Sequence, residues 1–162
     1  MLVGVISDTH GLLRSEVLRT LMGVEHILHA GDVGDPAILD MLRQLAPVTA
    51  IRGNVDTAGP CASLPATEAV ELAGCLIYMV HAIADLDIQP KAAGVGLVVY
   101  GHSHKPLLER HGGVLYLNPG SAGPRRFQLP VTLALVRIED GLASAEIVSL
   151  SGGPVSEEHA NT

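Results

Sequence analysis

The chain of 162 residues is close to the commonest length of one folded domain, and its composition excludes several classes of protein. Hydrophobic residues make up 48% of the chain and charged residues only 17%, which excludes an intrinsically disordered protein. The net charge of −7 repels a phosphate backbone, and three Tyr, one Phe and no Trp offer little for base stacking, so strong nucleic-acid binding is not expected.

No segment of the sequence indicates secretion or a membrane. The chain opens with MLVGVIS, which is too short for a signal peptide and lacks its basic flank. No apolar stretch approaches the roughly 20 residues of a membrane span. The two cysteines, Cys61 and Cys75, form neither a disulfide framework nor a CxxC metal motif. We therefore expect a cytoplasmic protein with no membrane association.

The first half of the chain alternates strand-like and helix-like segments. Three apolar runs are predicted to be strands, over residues 2–7, 26–31 and 47–51. Helical spacing predicts a helix over 14–22. Asp35 followed by Pro36 has the pattern of an N-cap and first helical residue, and opens a second helix that runs to Leu45. This β-α-β-α-β order implies parallel strands with crossover helices.

The second half begins with a loop over 57–65 that is rich in Gly, Pro and Ser, and then changes to hairpins. A short helix is expected over 85–93. Asp140-Gly141 between alternating apolar runs is typical of a hairpin turn. The predicted strands are 68–74 and 75–81 joined through Gly74, 97–101, 107–110, 114–118, 131–139 and 142–150. We predict an α/β fold with two packed mixed β-sheets, a β-sandwich, flanked by helices. Residues 1–150 form its single domain, and 151–162 a polar, flexible tail.

Five of the apolar runs end in side chains that can bind a metal. The seven donors are Asp8, His10, Asp32, Asn54, His81, His102 and His104. In open α/β sheets the ligand site lies beyond the carboxyl ends of the strands. If these strands share a sheet, the donors therefore gather at one edge. Each alone has a structural explanation as a cap, a turn residue or a buried histidine. Five strand ends with the same property favour a common site.

The donor set favours metal chemistry over a nucleophile and base. It contains two carboxylates, one amide and four imidazoles, with no serine or cysteine in a nucleophile elbow. Mixed N and O donors without thiolate suit Mn, Fe, Ni or Zn better than Ca or Mg. Seven donors exceed one tetrahedral zinc shell and suit two ions that share a carboxylate. We predict two divalent transition-metal ions, Mn²⁺ favoured and Ni²⁺, Fe²⁺ or Zn²⁺ as alternatives. His29 is expected to support the site or the core.

The ordered motifs resemble those of the calcineurin-like metallophosphoesterases, in particular their small single-domain phosphodiesterase branch. They span roughly residues 1–150 and read SDTHG (7–11), HAGDV (29–33), RGNVD (52–56), VHA (80–82), GHSHKP (101–106) and NPGS (118–121). The resemblance implies a two-layer β-sandwich with a two-metal site. It also implies hydrolysis of a small phosphoester by a metal-activated water, a phosphodiester being favoured over a monoester.

The resemblance also implies a role for each donor. The first metal would take Asp8, His10, Asp32 and His104, and the second Asp32, Asn54, His81 and His102, with Asp32 bridging. The catalytic residues would be Asp32, Asn54 and His81. Many family members carry a histidine after this asparagine that is thought to protonate the leaving group. Here that position is Val55, so Asp56 is expected to have lost the partner it would orient.

Other functions remain open on the sequence. A subunit of the retromer complex resembles this fold and binds proteins through its surface with a degraded metal site, whereas all seven donors are present here. A phosphomonoesterase and a metal-binding regulatory module are further alternatives. Arg125 and Arg126 follow NPGSAG and would contact a phosphate if their loop reaches the site. An exposed strand of the C-terminal hairpins would support a homodimer.

Overall fold

A computed structural model describes residues 1–150, which form two five-stranded mixed β-sheets, two α-helices and two short 3₁₀ helices. The predicted fold of two mixed sheets with few flanking helices is confirmed. The tail predicted over 151–162 lies outside the described residues. Within residues 1–150, no helix is long and apolar enough to cross a membrane.

The strands and helices follow each other along the chain in an order close to the predicted one. The strands are β1 (Leu2–Ile6), β2 (His26–His29), β3 (Val48–Ala50), β4 (Thr67–Leu72), β5 (Cys75–Val80), β6 (Leu97–Val99), β7 (Leu107–His111), β8 (Val114–Asn118), β9 (Thr132–Glu139) and β10 (Leu142–Ser149). The helices are α1 (Ser15–Thr20) and α2 (Pro36–Arg43), with 3₁₀ helices at Pro60–Ser63 and Ile83–Asp85.

Parallel pairing brings the carboxyl ends of the central strands to one side of each sheet. The first sheet has the order β10-β9-β1-β2-β3, in which β1, β2 and β3 are parallel. The second has the order β4-β5-β6-β8-β7, in which β5, β6 and β8 are parallel. The hairpins β4–β5, β7–β8 and β9–β10 add antiparallel strands. β10 is an edge strand of the first sheet, as the predicted homodimer requires. The homodimer itself stays a prediction.

The core lies between the two sheets, with helices covering the outer face of the first. Period-two alternation sends Val3 and Val5 of β1 toward Ile77 and Met79 of β5 in one buried cluster. Ile6 of β1 belongs to the opposite cluster, which also holds the buried residues of α1 and α2. Both sheets are therefore anchored on apolar surfaces, and the loops at their strand ends are free to carry polar side chains.

The second helix begins where the sequence predicts. Asp35 is the N-cap, and its Oδ1 accepts a hydrogen bond of 2.9 Å from the Ala37 N–H, with Pro36 as the first helical residue. Both α-helices are shorter than predicted, since α1 covers Ser15–Thr20 and α2 ends at Arg43.

The helix predicted over 85–93 is wrong. The chain forms a 3₁₀ turn at Ile83–Asp85 and then irregular structure and turns up to β6. Asp87 accepts a hydrogen bond of 2.7 Å from the Tyr78 hydroxyl, which fixes this segment against the outer face of the second sheet. Pro90 has no N–H to donate within a helix, and Gly94 at φ +78° ends the last turn. Local tertiary contacts therefore replace the helix.

Candidate metal centre

The seven predicted donors come together where the carboxyl ends of the two sheets meet. The loops after β1, β2 and β3 supply Asp8, His10, Asp32 and Asn54, and those after β5 and β6 supply His81, His102 and His104. The hypothesis that these strands share one sheet is wrong, because β1–β3 and β5–β6 belong to different sheets. The donors gather because the packed sheets present their carboxyl ends on the same side.

Asp8 has one carboxylate oxygen fixed by the protein and one left open. Its Oδ2 accepts hydrogen bonds from the Ser7 hydroxyl at 2.7 Å and the His102 N–H at 3.1 Å. Its Oδ1 is buried without any hydrogen-bond partner among residues 1–150. Three histidine Nε2 atoms surround that oxygen, those of His104 at 3.4 Å, His10 at 3.7 Å and His81 at 3.8 Å. A cation would satisfy this buried carboxylate oxygen, and with the three histidine nitrogens around it the donor set fits a metal ion.

Asp32 lies between the two halves of the donor set. Its Oδ1 accepts a hydrogen bond of 3.0 Å from the Val55 N–H, and its Oδ2 lies 3.3 Å from His81 Nε2 and 3.6 Å from His10 Nε2. Burial by itself raises the pKa of Asp32. The hydrogen bonds from His81 and Val55, and the histidine charges, outweigh burial and lower the pKa to about 2. Asp32 is therefore ionised at neutral pH and faces both groups.

Two overlapping clusters share Asp8. The donor atoms of Asp8, His10 and His104 all lie within 4.8 Å of one another, as do those of Asp8, Asp32 and His81. The Oδ1 atom of Asn54 lies 3.1 Å from both His81 Nε2 and His102 Nδ1. Asn54 thus directs its amide oxygen at the second cluster. An asparagine that only formed a turn would instead bond its own backbone.

Backbone contacts orient His81 toward the other donors. Its Nδ1 lies 2.7 Å from the Ala30 carbonyl oxygen, which can only accept, so Nδ1 carries the hydrogen and Nε2 faces Asp32 and Asn54. Burial lowers the pKa of His81, but the hydrogen bonds to Asp32 and Ala30 outweigh it and leave the pKa raised. The ring of His81 is held in the one orientation that presents a single nitrogen to the site.

Five of the seven donors have left-handed backbone conformations that non-glycine residues rarely adopt. These are Asp8 (φ 56°), His10 (φ 46°), Asp32 (φ 55°), His102 (φ 71°) and His104 (φ 62°). Each costs of order 1 kcal/mol or more and persists only where the surrounding structure imposes it. Backbone hydrogen bonds between adjacent loops impose it here, from Asp8 N–H to Gly31 O at 3.0 Å and from His10 N–H to Asp32 O at 2.9 Å.

Asp56 has no histidine beside it at position 55, but it has three backbone partners. Its carboxylate accepts hydrogen bonds from the backbone N–H groups of Val33 at 3.1 Å, Gly34 at 3.0 Å and Gly53 at 2.9 Å. This carboxylate ties the loop that carries Asp32 to the loop that carries Asn54. The sequence does not reveal this cluster of N–H groups, because the two glycine-containing loops become neighbours only when β2 and β3 pair in the sheet.

His29 supports the loops from beneath the donors. It is fully buried, its Nδ1 accepts a hydrogen bond of 3.2 Å from the Gly31 N–H, and its Nε2–H therefore donates to Thr9 Oγ1 at 3.0 Å. The Thr9 hydroxyl donates onward to Val33 O at 2.9 Å. Burial lowers the pKa of His29 to about 4. With both nitrogens occupied, His29 is a supporting residue and not a proton donor to a substrate.

Asn118 holds the loop that carries His102 and His104, a role the sequence did not reveal. Its side-chain amide donates to Gly101 O and to Ser103 Oγ, both at 3.1 Å, and its Oδ1 accepts from the Gly120 N–H at 2.9 Å. The sign that could have revealed it is that β8 is a sixth buried strand that ends in a polar residue, here within the NPGS motif.

The site opens to solvent beside Asn54. A cavity of about 420 Å³ is bordered by His81 and His102 on the metal side and by Arg52 and Asp85 at its mouth. Val55 is 44% exposed nearby, and its contribution to the site is its backbone N–H to Asp32. No imidazole therefore stands at position 55.

Comparisons with known proteins show which family and which folds the chain is similar to. The family model described as the calcineurin-like phosphoesterase superfamily domain matches residues 1–141. A probable metallophosphoesterase of Methanocaldococcus jannaschii is 36% identical over 155 residues, covering 88% of this chain and 78% of its own. One of Methanothermobacter thermautotrophicus is 32% identical, covering 96% and 95%. Among solved structures, wild-type Vps29 of Entamoeba histolytica complexed with Zn²⁺ has a TM-score of 0.76 at 27% identity, covering 96% of each chain.

Proposed function

The chain belongs to the calcineurin-like phosphoesterase superfamily, and from this we propose that it is a metal-dependent phosphodiesterase with two ions at the seven-donor site. The observation that carries the proposal is the open, buried Oδ1 of Asp8 surrounded by three histidine nitrogens. We assign Asp8, His10, Asp32 and His104 to the first ion, and Asp32, Asn54, His81 and His102 to the second. The Zn²⁺ complex of the Entamoeba structure supports metal binding, and Mn²⁺ is our favoured ion.

The contacts of the site residues indicate what each would contribute to the proposed hydrolysis. Divalent ions held by these residues would supply Lewis-acid chemistry, lowering the pKa of a water and neutralising charge on phosphoryl oxygens. Asp32, ionised and central, keeps the two halves of the donor set together, and His81 presents Nε2 in a fixed orientation. The Asn54 amide, at the edge of the open cavity, stabilises charge that develops on the phosphoryl group.

A diester is favoured over a monoester because two separate cavities border the His102–Lys105 loop. One cavity borders His102 and Asn54, and a second borders Ser103 and Lys105. A phosphodiester carries a substituent on each side of phosphorus and can use both, whereas a monoester uses one. The substrate is a small phosphoester, and a cytoplasmic location stays a prediction.

The test is metal-dependent turnover of the stripped protein. Purified protein freed of metal is assayed with bis-p-nitrophenyl phosphate, with and without Mn²⁺ or Ni²⁺, and bound metal is counted per chain. We expect turnover only with added metal and a loss of about 10²–10³-fold in Asn54→Ala. Gln44→Ala, which removes an exposed amide at the end of α2, is the matched control and should behave as wild type.

Two outcomes would contradict the proposal. Two bound metals per chain without turnover of this or other diesters would favour a regulatory metal site. Neither metal nor turnover would favour a protein-binding scaffold of the same fold.

The leaving group should matter strongly to this enzyme. Val55 offers no acid, and His29 is buried with both nitrogens bonded, so no side chain there protonates a departing alkoxide. General acid catalysis contributes about 10²–10⁴-fold. Alkyl esters should therefore be hydrolysed more slowly than p-nitrophenyl esters. The difference in enzymatic rate should exceed the difference in the intrinsic reactivity of the two kinds of ester. The measurement is a series of leaving groups of rising pKa. A shallow dependence of kcat/KM on that pKa would show that another acid operates.

A further inference from the structure

The chain's one phenylalanine lies on the surface beside the proposed metal centre. Phe127 is 93% exposed, the most exposed large apolar residue of residues 1–150, in a loop between β8 and β9. Such exposure has no structural benefit, because a buried aromatic ring stabilises a core by up to a few kcal/mol. Its backbone, at φ 52°, has the same left-handed conformation as five of the metal-site donors. An exposed, strained aromatic residue is therefore a candidate for ligand contact.

The loop of Phe127 is anchored directly to the strand end that carries Asp8. The Ser121 hydroxyl donates to Asp8 O at 2.9 Å, and the Ala122 N–H donates to Ser7 O at 3.0 Å. Arg14 Nε donates to Gly123 O at 3.2 Å. Phe127 follows Gly123 by four residues, which places it within about 13 Å of this anchor. The Phe127 backbone is therefore tied by a short segment to the strand end that carries Asp8.

A cleft runs between this loop and the residues that flank His104. It has a volume of about 480 Å³ and is lined by Ser103 and Lys105 on one side and by Phe127, Gln128 and Leu129 on the other. That volume is within the range of small-molecule sites. Its lining combines one aromatic face, an amide and a cation, which is the composition that binds a planar, hydrogen-bonding group attached to an anion.

Charge around the cleft opposes the charge of the rest of the chain. The protein has a net charge of −7, but the loop from Pro119 to Val131 contains Arg125 and Arg126 and no acidic residue. Lys105 stands exposed on the other wall. An anionic substrate is therefore attracted to this side of the site.

We propose that this cleft binds the nucleoside arm of a nucleoside phosphodiester, with the base stacked on Phe127 and the phosphate drawn toward His104 by Lys105 and Arg126. The substrate class is a mononucleotide ester or a short oligonucleotide. A long nucleic acid is disfavoured, since one aromatic residue and a small basic patch bind only one or two nucleotides. The inference rests on the proposed phosphodiesterase function and names its substrate.

The first test compares two substrates with the same leaving group. Thymidine 5′-(p-nitrophenyl) phosphate carries a base, and methyl p-nitrophenyl phosphate does not, so any contact of the nitrophenyl ring cancels in the ratio of their kcat/KM values. Phe127→Ala should lower this ratio between about five- and hundred-fold, the range found for loss of base–aromatic stacking. Phe127→Tyr should retain it. Leu142→Ala removes a 75% exposed apolar residue at the opposite end of the sheets and should also retain it. An unchanged ratio in Phe127→Ala overturns the proposal, as expected if Phe127 docks another protein.

The second test needs no turnover. Thymidine 5′-monophosphate is added to the metal-free protein, and the base protons are followed by NMR. Stacking on a phenyl ring should shift them upfield in wild type and Phe127→Tyr, and not in Phe127→Ala. If the protein turns over no diester but this shift is seen and lost in Phe127→Ala, the cleft stands and the proposed function fails. If diesters are hydrolysed while neither the ratio nor the shift responds to Phe127, the function stands and the cleft proposal fails.

Discussion

Replacing Asp32 by Asn is expected to reduce kcat for bis-p-nitrophenyl phosphate by at least about 10²–10³-fold, one of the two largest effects predicted for this chain. Asn keeps the shape of the side chain and the hydrogen bond of 3.0 Å that Oδ1 accepts from the Val55 N–H. It removes the negative charge that faces His81 at 3.3 Å and His10 at 3.6 Å. Without that charge, His81 and His10 lose the carboxylate that both of them face. The metal content per chain should therefore fall together with kcat.

The control is Asp40→Asn, which removes one negative charge from the exposed face of α2. Asp40 lies 3.0 Å from Arg43 on the surface, and its side chain is 75% exposed. Surface pairs of this kind contribute about 0–1 kcal/mol to the free energy of unfolding, and Asp40 is outside the metal clusters. Asp40→Asn should therefore keep the wild-type kcat and metal content. Wild-type kcat and metal content in Asp32→Asn would refute the bridging role of this residue.

Replacing Asp56 by Ala is expected to lower the free energy of unfolding by at least about 3 kcal/mol. The carboxylate is 4% exposed and accepts three backbone N–H groups, from Val33, Gly34 and Gly53. Hydrogen bonds to a charged group contribute about 1.5–3 kcal/mol each, and buried N–H groups left without an acceptor add a penalty, although the contributions are not additive. The loss should be measured by urea unfolding of the metal-free protein, where bound metal cannot mask it.

Asp35→Ala is the matched control for Asp56→Ala. It removes another carboxylate that accepts a backbone hydrogen bond, but from one N–H only, that of Ala37 at the exposed start of α2. Loss of such a cap costs about 1 kcal/mol. Asp56→Ala should also weaken metal binding about 10–100-fold, as loss of residues that orient metal ligands does. Equal urea midpoints for the two variants would mean that the three hydrogen bonds of Asp56 do not stabilise the loops.

Local chemistry explains why much of the fold could be predicted from sequence. The Asp35-Pro36 start of α2 and the Asp140-Gly141 turn of the β9–β10 hairpin depend on backbone rules that act within a few residues. From Leu135 to Glu139 of β9, buried residues alternate with more exposed ones, a period of two that is independent of the partner strand. The segment 85–93 was predicted wrongly because its conformation depends on Tyr78, a residue of another strand.

The sequence by itself determined which chemistry is available. It placed two carboxylates, an amide and four imidazoles at five strand ends, put a valine at position 55, and predicted a domain of two mixed sheets. Only the tertiary structure decided that β1–β3 and β5–β6 belong to different sheets and that their loops meet around Asp8 Oδ1. It also gave Asp56 its three N–H partners and brought Phe127 beside Lys105. The difference lies in the separation along the chain over which each effect acts. Propensity, capping and turn chemistry act between residues close in sequence. The direction of a donor, the burial of a charge and the walls of a cleft depend on residues far apart in sequence.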